Sequence, residues 1–135
     1  TGISRIMVTN ALGYTPFQES TALSATTGTF SSSITSAQNI TAYSDSRIKT
    51  DFEVIPNALD KINELTGYTF KRTDVDIPRQ VGLLAQDVRE VLPEAVEEDS
   101  EGKLSVAYGN ITALLIEAIK ELQAKVIELE NSKSV

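Results

Sequence analysis

The last segment of the chain, "NITALLIEAIKELQAKVIELENSKSV" (residues 110–135), constrains the fold more than any other. Leu115, Ile119, Leu122, Val126 and Leu129 recur at alternating spacings of four and three. That is a heptad seam with Leu at d and Ile or Val at a. Asn110 is placed to cap a helix that runs to Glu130. Ile111, Leu114, Ala118 and Ile127 widen the apolar face beyond a simple two-helix seam. A single chain can bury such a face against its own domain, but a long amphipathic helix of this kind reads as an assembly device. The a and d residues alone lean towards a dimer, and the extra apolar positions lean towards three chains.

The segments before this helix have a globular pattern. In "VIPNALDKINELTGYTF", Ile55, Ala58, Leu59, Ile62 and Leu65 fall at helical spacing, with Pro56 near the start and Gly67 past the end. "YTFKR" reads as a strand with Tyr68 and Phe70 on one face. "RQVGLLAQDVREVLPEAV" reads as a short strand entering a helix that Pro93 ends. "EEDSEGKLSVAY" reads as a hairpin, with Gly102 in the turn and Leu104, Val106 and Tyr108 alternating. Its acidic run Glu97, Glu98, Asp99 and Glu101 fits no EF-hand spacing, so a solvated turn is favoured over a calcium loop. The expected fold of residues 44–135 is therefore α+β. It has one small antiparallel sheet around 68–71, 80–85 and 103–108, helices, and a long C-terminal coiled-coil helix for association with other copies.

Composition divides the chain. Residues 44–135 hold 11 of its 12 basic and 18 of its 19 acidic residues, leaving only Arg5 and Glu19 upstream. Residues 1–43 instead contain nine threonines and seven serines, with few large apolar residues. A segment of this kind forms no core alone. It is either a disordered linker or an extended, fibre-like β segment that finds its core between several chains. The boundary lies at Tyr43–Ser44.

The chain has neither cysteine nor histidine. This removes disulfides, thiolate metal sites, imidazole bases and Ser-His-Asp catalysis, and no metal or cofactor is expected. A net charge of −7 argues against a nucleic-acid partner. No apolar run is long enough to span a bilayer, and no signal peptide is visible, so no membrane partner is expected either. Thr1 reads as the start of a fragment.

At the boundary stands "YSDSRIKT", residues 43–50. Serine catalysis without histidine needs another base, and lysine is the usual substitute. An ordinary lysine is neutral in only about one molecule in 2,500 at pH 7. It becomes a base only where its surroundings lower its pKa by several units. The five-residue offset between Ser44 and Lys49 requires a turn rather than a continuous helix. As a spacing alone, Ser-x4-Lys is weak.

Three runs in order carry a resemblance: "SDSRIKTDFEVIPNALDKINELTGYTFKR", "VGLLAQDVREVLPEAV" and "LSVAYGNITALLIEAIKELQAKV". Together they resemble the C-terminal intramolecular chaperone domain of phage tail spikes and tail fibres, the peptidase S74 family, also found at the end of endosialidase tailspikes. "NALGYTP" (residues 10–16) resembles a segment of tail-fibre stems. The resemblance implies a domain that trimerises, registers the upstream fibre segment of its own chain and then cuts itself off. On this chain it implies Ser44 as nucleophile, Lys49 as base and Tyr43–Ser44 as the cleaved bond, in a single-turnover reaction. Asp45 either orients Lys49 or the attacked peptide, or caps the next turn. Assembly is implied in the host cytoplasm, with the mature fibre in the virion tail and the chaperone fragment released. The competing reading is a permanent, non-catalytic trimerisation or attachment module.

Overall fold

The helix expected after Pro56 forms, but it starts without a cap of its own. In the computed structural model, α1 spans Ala58–Asn63, and Asn57 before it takes a left-handed backbone with φ of 52° and makes no side-chain cap. The structure describes residues 28–30 and 33–133. The "NALGYTP" segment and much of the fibre-like reading of residues 1–43 lie outside them. The described residues up to Tyr43 contain neither helix nor strand and are exposed. The chain divides into two units, Thr1–Ser44 and Asp45–Val135.

Within the second unit the strands do not form one sheet. β1 (Tyr68–Phe70) pairs with β2 (Gln80–Gly82) antiparallel, Tyr68 opposite Gly82 and Phe70 opposite Gln80. β3 (Val96–Glu98) pairs with β4 (Leu104–Val106) antiparallel, Val96 opposite Val106. The single three-stranded sheet around 68–71, 80–85 and 103–108 is thus replaced by two separate two-stranded ones. A physical reason lies at Leu83. Its N–H, the next donor after β2, is given to the Tyr108 hydroxyl at 2.9 Å instead of to a third strand. Between β2 and β3 run α2 (Ala85–Val91) and a short 3-10 turn, Pro93–Ala95. Pro93 ends α2 as its missing N–H predicts.

The hairpin turn is built by Asp99 and Gly102. Gly102 takes φ of 79°, a conformation that costs glycine little. The Asp99 carboxylate accepts the N–H groups of Glu101 and Lys103, each at 2.9 Å. Those two bonds, Lys103 first, hold its pKa below the usual carboxylate value.

The terminal helix, α3, runs Tyr108–Lys133. It begins two residues before Asn110, so Asn110 is not its cap, and Tyr108 belongs to the helix rather than to a strand. The Asn110 N–H bonds the Ala107 carbonyl at 2.9 Å, already inside the first turn.

Ile111, Leu114 and Ala118 of α3 are buried with Ala58 of α1, Val88 and Val91 of α2, Leu92 and Ala95. Ile55, Leu59, Ile62, Leu65, Leu83, Val96 and Val106 pack around this cluster. Three of the four residues expected to widen the coiled-coil face are therefore directed into the chain's own core. Their use as a sign of three chains falls away with that placement. Glu121, one turn beyond Ala118, supplies the cap that Asn57 does not: its carboxylate accepts the N–H of Ala58 at 2.8 Å and of Leu59 at 2.9 Å.

Candidate functional site

Two features of the second unit bear on function: the turn that opens it and the face of α3 that its core leaves uncovered. Asp45 is the N-cap of a 3-10 turn, Ser46–Ile48, and its carboxylate accepts the Arg47 N–H at 2.9 Å. The same carboxylate is gripped by the Arg47 guanidinium, with Nε to Oδ1 at 3.0 Å and Nη2 to Oδ2 at 2.6 Å. That planar two-point contact is the strong form of an arginine–carboxylate pair. Arg47 thereby holds the Asp45 pKa below its ordinary value, its guanidinium contributing most and its N–H next.

Lys49 closes the turn. Its backbone N–H donates to the Ser46 carbonyl, and Ile48 donates to the Asp45 carbonyl, both at 3.2 Å. The turn thus sets Asp45 and Lys49 at its two ends. Their roles divide locally: the Asp45 carboxylate organises the turn through Arg47, the capping alternative recognised in the sequence. The sequence reading gave Arg47 no role, although the Asp-x-Arg spacing was the available signal. Ser44 lies in the first unit and Asp45 onward in the second. Tyr43, Ser44 and Lys49 are exposed in the single chain.

Beyond Lys49 the backbone bends at Asp51, with φ of 53°, an angle that aspartate tolerates better than most residues. Phe52, Val54 and Ile55 then line an open groove with Ala113 and Ile116 of α3. The segment that follows Lys49 therefore shares this groove with α3 at Ala113 and Ile116.

The opposite feature is the seam. Leu115, Ile119, Leu122, Val126 and Leu129 are 44–64% exposed, whereas Leu114 is fully buried. One helix thus presents two apolar faces. One is occupied by the chain's own core, and the other is open along the heptad positions. Among the described residues no group of acidic side chains could hold a metal ion, and no helix is long and apolar enough to cross a membrane.

The turn and the elements that follow it as far as the first residues of β3 coincide with a family match: residues 44–97 match the family described as chaperone of endosialidase. The chain is also similar to long tail fibre proteins. It is 42% identical over 103 residues to long tail fibre protein Gp37 of Enterobacteria phage K3, covering 70% of this chain and 8% of that protein. The figures are the same for the Gp37 of Enterobacteria phage T2. With the Gp37 of Enterobacteria phage M1 it is 36% identical over 96 residues, covering 64% of this chain and 38% of that protein. The chain therefore spans a minor part of these relatives' length.

Proposed function

We propose that residues 44–135 are the assembly chaperone of a phage tail fibre, which trimerises through α3 and holds the upstream segments of its own chains in register. The observation that carries this reading is the open heptad seam on a helix whose other face is already buried in the domain. Threonine- and serine-rich strands that bury a core only between chains must first be brought into register, and that search is entropically slow. A preformed oligomer at one end raises their effective concentration.

The same reading gives the turn at Ser44 a chemical role. The Ser44 hydroxyl adds to the Tyr43 carbonyl while neutral Lys49 takes the hydroxyl proton. The amide C–N bond breaks, the proton passes to the Ser44 amine, and an ester remains. Water then cleaves the ester and frees Tyr43 as a carboxylate. The attack is on the adjacent residue, so high effective molarity offsets a poor base. Lysine serves as base only where it is shielded from water, and Lys49 is exposed in one chain. That exposure favours, as the second reading, a permanent module without chemistry.

Purified full-length chain distinguishes them. Intact mass after incubation is expected to show a fragment beginning at Ser44, and sedimentation is expected to show a trimer. A folded trimer that stays at 14.6 kDa per chain supports the permanent module. A monomer at micromolar concentration overturns both.

A further inference from the structure

Arg47 is bound to Asp45 more completely than a surface ion pair requires. The Asp45 carboxylate accepts four hydrogen bonds from this one residue. Oδ1 takes the Arg47 N–H at 2.9 Å and Nε at 3.0 Å, and Oδ2 takes Nε at 3.1 Å and Nη2 at 2.6 Å. An ionised carboxylate offers about four acceptor sites, so Arg47 fills them all. The pair does little for the stability of the domain. The Arg47 side chain is 86% exposed, and the turn to which it belongs buries no residue. Exposed pairs of this kind contribute little to folding. The consequence of the contact is electrostatic: it fixes which cation answers the Asp45 charge.

Lys49 is the other cation of this turn, with Asp45 at the N-cap and Lys49 at the C-cap. They are four residues apart, the spacing at which a carboxylate and an ammonium pair across a helical turn. A carboxylate so placed favours the protonated form of a lysine, and that form cannot take the Ser44 proton. The other acids of this segment, Asp51 and Glu53, line a cleft with Lys61 of α1 and with Glu94 of the 3-10 turn after α2. Glu117 of α3 lines the neighbouring groove. Among the described residues Arg47 pairs with Asp45 and with none of these, so its replacement frees the Asp45 charge alone.

We propose that Arg47 is a positioning residue for the reaction of Ser44 and Lys49: it occupies the Asp45 carboxylate and so keeps that carboxylate from pairing with Lys49. This rests on the self-processing reading and adds a residue to it. Asp45 then shapes the turn as its cap without holding the base in its charged form. Arg47 also keeps the Asp45 pKa below its ordinary value, so the carboxylate is ionised at neutral pH and is disarmed by occupation, not by protonation. Arginine suits this task because its planar guanidinium meets both carboxylate oxygens, whereas lysine offers one point of charge.

Full-length chain made by cell-free translation tests this, with cleavage followed by intact mass over a pH series from neutral to alkaline. Arg47→Gln is expected to keep its fold by circular dichroism. It is expected to cut roughly tenfold more slowly at neutral pH, the effect of about one pH unit. That deficit should close as the buffer becomes alkaline. Arg47→Lys should lie between Arg47→Gln and wild type, and decides the matter if Arg47→Gln does not fold. Arg47→Gln combined with Asp45→Asn is expected to recover the wild-type rate at neutral pH, because asparagine still caps the turn and carries no charge. No deficit, a deficit equal at every pH, or a double variant that stays slow overturns this inference. The self-processing reading then stands, provided that the wild-type chain is cut. A wild-type chain that stays whole at every pH overturns that reading, and this inference with it.

Discussion

Glu121 caps a helix 63 residues earlier in the chain: its carboxylate accepts the Ala58 N–H at 2.8 Å, at the first residue of α1. A helix N-terminus carries unsatisfied N–H groups and a partial positive charge, and a carboxylate answers both. Asn57 occupies the position from which a local side chain would do this, but its left-handed backbone leaves the task to α3. The connection ties the helix that follows the Ser44–Val54 segment to the helix that carries the seam.

Glu121→Ala is expected to lower the thermal midpoint and to speed hydrogen exchange at Ala58 and Leu59. The two N–H bonds, Leu59 first, hold the Glu121 pKa below its ordinary 4.5. Its contribution is therefore complete above that value and is lost as pH falls through the lower, folded-state value. The difference in midpoint between wild type and Glu121→Ala should shrink at pH below 4.5. A difference that persists undiminished into strong acid would show that the carboxylate is not the source.

The two faces of α3 predict opposite phenotypes. Leu122→Asp places a charge on the open seam and should abolish assembly while leaving the far-ultraviolet helix signal of the domain in place. Leu114→Ala removes a fully buried side chain and should cost about 2–5 kcal/mol of stability. Sedimentation and thermal melts on both variants separate the faces. Equal effects on both measurements would mean that one face serves both purposes.

At the end of β2, a Cβ on residue 82 would run into the Tyr108 hydroxyl. Gly82→Ala should therefore destabilise the domain. Tyr108→Phe removes the acceptor for the Leu83 N–H and should cost about 0.5–1.5 kcal/mol. In the double variant the added methyl group meets no hydroxyl, so that variant's loss should be smaller than the sum of the two single losses. Strict additivity in chemical denaturation would remove this contact as the reason for glycine.

Ser44→Ala should assemble and remain whole, as should Lys49→Ala. Lys49→Arg should match Lys49→Ala, because arginine keeps its proton and offers no base. Ser46→Ala should still be cut, since Ser46 lies within the 3-10 turn and has no part in the proposed step. Intact mass reads each outcome, with circular dichroism confirming the fold. Cleavage that survives Ser44→Ala in a folded protein ends the self-processing reading.

Local pattern was legible in the sequence where one segment decides its own structure. The spacing of Ala58, Leu59 and Ile62, the stop at Pro93, the Gly102 turn and the long terminal helix are cases of this kind. What the sequence did not disclose depends on residues far apart. The Leu83 N–H goes to Tyr108, 25 positions on, and this helps split one expected sheet into two. Glu121 stands in for a cap at Asn57. Hydropathy shows that Leu114 and Leu115 are both apolar, but only the packing of α1 on α3 shows which is buried and which is left open. At the site, the Asp-x-Arg spacing was visible, whereas the commitment of Asp45 to Arg47 required the 3-10 turn to be seen.

The core of the second unit also bears on how long it lasts. Leu114 and Val88 are its largest fully enclosed side chains. Under the proposed assembly, this small domain would draw part of its stability from whatever covers its seam, and stability shared between copies obeys mass action. While copies are tethered to one growing fibre, their local concentration is high and the assembly holds. Severed and diluted, they would separate, open and fall to proteases. Under the proposed release the domain is perishable, cleared by dilution once its task is done.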